Sequence, residues 1–198
     1  MSTAPALDPA HTALLVMDRQ PAILALFPES DSEALLGRVE KAIPEVRATG
    51  GTVAYVRVGF TEADWAAIPP PNRSFAPIAQ HRLMHHADRD TAVHERLAPQ
   101  DGDIIVRKIR HGGLSTTDLD RRLREHGITT LIIAGISTSG AALSAVLDAA
   151  DRDNRLHVLA DGVAAPDPEA HEVLLHQVLP AQAHILETAE LPTLLRAG

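Results

Sequence analysis

Three places in this sequence put chemistry-bearing groups at the ends of short apolar runs. Asp18 closes the run TALLVM and is followed by Gln20. Arg107-Lys108 closes the run DIIV. The turn Gly135-Ile136-Ser137-Thr138-Ser139-Gly140 follows TLIIA and leads into a helix-periodic segment. If these ends converge, a carboxylate, an ammonium and the amides of a helix start share one site. Such a cluster can move a proton and hold a developing oxyanion. Taken singly, each has a plain structural alternative. An Asp after a strand caps helices or pairs with a loop cation, a Lys-Arg pair decorates a solvated edge, and Gly135 with Gly140 permits tight packing. The turn does not fit the G-x-G-x-x-G pattern of dinucleotide sites.

The elements that would position these groups are legible as two alternating periodicities. Six short aliphatic or β-branched runs read as buried strands: 12–17, 52–58, 103–106, 130–134, 156–159 and 183–186. Between them lie helical segments. Ser32–Thr49 aligns Leu35, Leu36, Val39 and Ile43 and ends at Gly50-Gly51, with Pro44 predicting a kink or a second short helix. Thr116-Thr117-Asp118 precedes a helix that Gly127 stops. Ser139 is the expected cap of the helix carrying Ala142, Ala145, Val146 and Ala149, and Pro168 suits the first turn of another. Strands alternating with helices predict a three-layer, doubly wound α/β sheet of about six mainly parallel strands with helices on both faces. Ligands of such sheets bind beyond the carboxyl ends of the strands, where the three candidate places fall, so Asp18 and Lys108 are expected to end neighbouring strands and to pair.

Composition narrows the functional classes. The 198 residues suit one domain, 1–198, without an internal repeat or linker. Segment 59–102, with Pro69-Pro70-Pro71, Trp65 and four histidines, is expected to be a lid or insertion. Eighteen basic against 26 acidic residues leave a net charge of -8, which argues against nucleic acid or an anionic membrane as partner. No signal-peptide layout or membrane-length apolar run is present, so a cytoplasmic protein is expected. Cysteine is absent, which excludes disulfides, thiolate metal sites and a thiol nucleophile.

Four segments, in order, resemble the isochorismatase-like (cysteine hydrolase, nicotinamidase-type) family. They are ALLVMDRQ at 13–20, VRKIRHGGLSTTDL at 106–119, ITTLIIAGISTSGAALSAVLDAA at 128–150 and HVLADGVAAPDPEAH at 157–171. The resemblance implies that Asp18 and Lys108 are catalytic and that the family's nucleophilic cysteine falls at position 141, where this chain has Ala141. It also implies a cis peptide between Ile136 and Ser137, aiming the amides of Ser137 and Ala141 at an oxyanion. Family members that resemble true isochorismatases also lack the thiol and use their Asp as a general acid on a vinyl ether. The turn GISTSGA, however, lacks the bulky aromatic and His carried there by isochorismatases.

The remaining candidates are weaker. Ser137, Thr138, Ser139 and Ser144 offer hydroxyls but no evident base to activate one. The zinc-binding Asp-x-His pair of nicotinamidase-like relatives has no match after the second strand. His81, His85 and His86 have a spacing that would put two imidazoles on one helical face, yet no carboxylate motif accompanies them, so neither a metal nor any other cofactor is expected. Gln20, His111, Ser137 and Ser139 are the expected substrate contacts, with Arg57, Arg107 or Arg110 available to hold a substrate carboxylate. The sequence thus reads as a cysteine-independent hydrolase of a small polar or carboxylated molecule, with Asp18 exchanging the proton and Lys108 setting its charge. The competing expectation is an inactive small-molecule binding protein that keeps the pocket. A homo-oligomer, dimer or tetramer, is expected, with segment 59–102 supplying apolar contact through Trp65, Ile68, Phe75 and Ile78.

Overall fold

The computed structural model describes residues 5–196 and contains one six-stranded sheet in the order β3-β2-β1-β4-β5-β6, every neighbouring pair parallel. The strands are β1 (Thr12–Met17), β2 (Thr52–Val58), β3 (Ile104–Lys108), β4 (Thr130–Gly135), β5 (Arg155–Leu159) and β6 (His184–Leu186). All six expected strands are present, with β3 starting one residue later and running on through Lys108. β1 is buried along its whole length, as a central strand covered on both faces must be.

Alternation along β1 separates two cores. Ala13, Leu15 and Met17 face one side, where they meet Leu119 and Leu123 of the helix Leu119–Glu125 and Ala142, Ala145, Val146 and Ala149 around the helix Leu143–Ala150. Leu14 and Val16 face the other side, against Leu36, Val39, Ile43 and Val46 of a long helix and Leu191 and Leu195 near the C-terminus. A third, smaller core of Val58, Phe60, Trp65, Ile68 and Phe75 forms under segment 59–102. That segment contains only short helical turns, among them Glu62–Ala66 and Ala76–Gln80.

Two local expectations are corrected. The long helix runs unbroken from Glu29 to Ala48, with no break into two at Pro44. Pro44 and Glu40, whose carbonyl the proline cannot satisfy, both lie on the exposed face, where water can replace the missing bond. Ser139 does not cap a helix. The chain enters the helix Leu143–Ala150 through a wide π-type turn, Thr138–Ala142, preceded by Ser137, and Ser139 is exposed on it. By contrast Asp167 caps the helix at Pro168–Val173, accepting from the amides of Glu169 and Ala170.

The expected need for a partner to cover segment 59–102 also changes. Trp65, Ile68 and Phe75 are each less than a tenth exposed within the single chain, so its own third core covers them.

A candidate active site at the carboxyl end of the sheet

Strand order reverses between β1 and β4, and the candidate groups gather there. Asp18 follows β1 with a backbone φ of +56°, a left-handed conformation that Asp adopts more readily than most residues. Its amide still donates to the Val56 carbonyl of β2 at 2.8 Å. Simple alternation would send its side chain toward the long helix with Leu14 and Val16. The left-handed residue breaks that alternation, and Asp18 Oδ2 instead meets Lys108 Nζ at 2.6 Å.

The sequence suggested that Asp18 and Lys108 end neighbouring strands, and that is corrected. β2 lies between β1 and β3, a separation of about 10 Å at normal strand spacing. The four-carbon stem of Lys108 crosses it. Both side chains are less than a tenth exposed, and Lys108 Nζ also donates to the His111 carbonyl at 2.9 Å. Asp18 Oδ1 is buried without a hydrogen-bond partner. Burial raises the Asp18 pKa, with the Lys108 ammonium and the more distant Arg19 guanidinium opposing it.

A cavity of about 210 Å³ opens over this pair. Its floor holds Asp18, Lys108, Ile136, Ser137 and Ala141, and its walls are apolar, from Ile23, Phe27, Val58, Phe75, Ile78 and Met84. His111 and Arg110 stand at the side. The His111 ring lies 4.8 Å from that of Phe75, and the Arg110 guanidinium lies 5.5 Å from the same ring. Packing and the nearby Lys108 charge hold the His111 pKa below its usual value. The Ile136–Ser137 peptide is cis, matching the expectation carried by the resemblance.

Of the expected site residues, Asp18, Lys108, Ala141, His111 and Ser137 line this cavity. Gln20 does not. It is fully buried, its Nε2 donates to the carbonyls of Val58 and Thr91, and its Oε1 accepts from the Val58 amide. With both ends of its amide group used, Gln20 fastens the end of β1 to β2 and has nothing left for a substrate. Ser139 lies outside the lining, its hydroxyl 3.4 Å from that of Ser137.

The three candidate arginines also separate. Arg57 donates to the carbonyls of His86 and Thr91, and Arg107 to the Gly59 carbonyl and the Asp64 carboxylate. Both are occupied in holding segment 59–102. Arg110 alone of the three lines the cavity. The expected helical face of histidines is not formed, because the helix ends at Gln80 and both Arg82 and Met84 have positive φ. His85 instead packs against Trp65 and His86.

Two features escaped the sequence. Arg19, adjacent to the candidate acid, is 2% exposed and donates to the Gly162 carbonyl, with Nε and Nη1 unpartnered. It thereby holds the strand-five loop, whose Ala164 carbonyl accepts from the Thr138 amide of the π-type turn. The second is the apolar wall, contributed by scattered residues without periodicity. No sequence signal marks either.

A family model described as the isochorismatase domain matches residues 12–190. The ureidoacrylate amidohydrolase RutB of Methylobacterium radiotolerans is 33% identical over 184 residues, spanning 83% of this chain and 71% of the relative. The RutB of Stutzerimonas stutzeri is 30% identical over 193 residues, 87% and 78% of the two chains. Among solved structures, a cysteine hydrolase from Pseudomonas syringae pv. phaseolicola superposes with a TM-score of 0.84 at 24% identity, covering 100% of this chain and 99% of the other. An isochorismatase family protein from Burkholderia thailandensis does so with 0.83 at 24% identity, covering 98% and 100%. The chain belongs to the isochorismatase family of hydrolases. Within that family it carries Ala141 and no cysteine.

Proposed function

We propose that this protein hydrolyses a small carboxylated molecule with a short apolar body, by acid–base chemistry and without a covalent enzyme intermediate. The observation that carries this reading is the buried Asp18–Lys108 pair on the cavity floor, with one carboxyl oxygen paired and the other unpartnered. A carboxyl whose pKa is raised by burial can hold a proton and deliver it from Oδ1 to a leaving group. The Lys108 ammonium then stabilises the carboxylate that remains. No side-chain nucleophile is available at position 141, so water is the attacking group.

Substrate class follows from the walls. Arg110 is the guanidinium that lines the cavity and suits a carboxylate, while Phe27, Ile78 and Met84 suit an unfunctionalised carbon chain. Segment 59–102, which supplies Phe75, Ile78 and Met84, acts in this reading as the cover of the site. The curated relatives are named for an amide-type reaction on ureidoacrylate. We therefore place carboxylated amides and ureides first, ahead of enol ethers.

The test is turnover of a panel of carboxylated amides, ureides and enol ethers by wild type and Asp18→Asn. Turnover by wild type that the variant loses supports the reading. Full activity in Asp18→Asn overturns it, and calorimetric binding without turnover by wild type assigns the protein to the binding-only class.

A further inference from the structure

Hydrolysis without a thiol needs a group to take a proton from the attacking water, and Asp18 is already assigned to the leaving group. We propose that His111 is that base, a role that rests on the hydrolytic reading of the cavity. Its placement supports this. The ring lines the cavity together with Asp18, Ser137 and Ala141. Its backbone carbonyl, not its imidazole, takes the Lys108 ammonium, which leaves the ring nitrogens free of that bond.

Gly140 reports how close the ring comes to the turn that carries Ala141. A Cβ built on Gly140 would lie 3.1 Å from His111 Nδ1 and 2.9 Å from Ser137 Oγ. An imidazole nitrogen and a hydroxyl therefore converge on the residue next to Ala141, and only glycine lets them approach. The charges around the ring favour the neutral form. Lys108 lies behind its carbonyl, Arg110 precedes it in the chain and leans on Phe75, and Asp18 is paired with Lys108 rather than with the ring. A neutral imidazole can accept a proton at physiological pH.

The step balances as ordinary hydrolysis. Water oxygen bonds to the substrate carbonyl carbon, the carbonyl π pair moves onto oxygen, and His111 takes the proton that water loses. Collapse of the tetrahedral intermediate breaks the C–N bond, and the departing nitrogen takes the Asp18 proton. The His111 proton then returns through solvent to the Asp18 carboxylate. Amide and water become carboxylic acid and amine, with both enzyme groups restored. Ser137 Oγ, beside His111, orients the water by a hydrogen bond.

The experiment uses the substrate that wild type turns over best. The pH profile of kcat/KM is measured for wild type, His111→Gln and Asp18→Asn, and His111→Ala is assayed with and without added imidazole. His111→Gln is expected to lower kcat about 100-fold or more with KM little changed. The acid limb of the wild-type profile disappears in it, and imidazole restores activity to His111→Ala. Unchanged activity and an unchanged acid limb in His111→Gln, with Asp18→Asn inactive, overturn the proposal while leaving the hydrolytic reading intact. An acyl adduct on Ser137, found by mass spectrometry of quenched wild-type reactions, overturns water as the nucleophile and the proposal with it. Absence of wild-type turnover, or full activity in Asp18→Asn, removes the hydrolytic reading itself.

Discussion

Lys108 reaches Asp18 across an intervening strand, and the two close to 2.6 Å on the cavity floor, each less than a tenth exposed. Removing Asp18 strands the Lys108 ammonium as an unpaired buried charge, which costs about 3–5 kcal/mol, whereas without Lys108 the Asp18 carboxyl can take up a proton. Asp18→Leu is therefore expected to lower the urea midpoint strongly. The double variant Asp18→Leu/Lys108→Met buries no charge and is expected to recover most of that loss. A double-mutant cycle by urea denaturation measures the coupling. Additive losses in the double variant contradict a coupled pair.

Arg110 differs from Arg57 and Arg107 in having the cavity before it and no structural carbonyl from segment 59–102 to hold. Arg110→Ala is expected to raise KM for carboxylated substrates about tenfold to a hundredfold, the loss of a charged hydrogen bond worth about 1.5–3 kcal/mol. Its melting temperature should stay near wild type. Arg107→Ala is expected to do the reverse, because it removes the charged partner of Asp64 and the donor to the Gly59 carbonyl. Steady-state kinetics and thermal melts on the same preparations separate the two. Equal KM effects in both variants would refute the assignment of Arg110.

Sheet, strand ends and the pairing of Asp18 with Lys108 were readable because buried parallel strands leave continuous apolar runs and must end where ligands bind. Strand order was not, since nothing in the residues shows that β2 separates the strands bearing Asp18 and Lys108. Gln20 misled for a similar reason. A primary amide beside a candidate acid suits a substrate or a strand junction equally, and only the positions of Val58 and Thr91 decide. Segment 59–102 carries its hydrophobic residues on short turns with no sustained period, so neither its inward core nor its share of the cavity wall had a pattern to reveal it.

His157 on β5 is fully buried against His184 of β6, the rings 5.2 Å apart and nearly parallel, and neither His157 nitrogen has a partner. Burial, with His184 and Arg155 nearby, lowers its pKa from 6.5 to about 4. Above pH 6.5 the ring is neutral whether the chain is folded or unfolded, so it adds no pH dependence. Below that, the unfolded chain takes up a proton that the folded one refuses, and stability falls as pH drops toward 4. The loss approaches ~3 kcal/mol at the low end. His157→Leu removes this contribution and the unsatisfied nitrogens together. It is expected to unfold at higher urea than wild type at about pH 5, with a smaller difference at about pH 7.5, outside the range where the ring titrates. A constant difference across pH would show that His157 does not titrate in this way.

Ala141 lies 3% exposed on the cavity floor, within the turn that leads into the helix Leu143–Ala150 and on the same floor as Lys108. Ala141→Cys puts a thiol in the position that the resemblance assigns to the family's nucleophile. The Lys108 ammonium and the amides of the turn favour the thiolate, while burial opposes it. In a cavity already open to small molecules the charge effect is expected to prevail, so the new thiol should alkylate with iodoacetamide at lower pH than free cysteine. Lys108→Met in the Ala141→Cys background should shift the labelling curve back toward alkaline pH, which ties the effect to the ammonium. An activated ester should leave an acyl group on the introduced thiol of the variant and none on wild type, because Ala141 has no atom that can attack. Labelling that follows an ordinary thiol titration, with or without Lys108, would mean that burial outweighs the charge. In that case Lys108 acts only as the partner that holds Asp18.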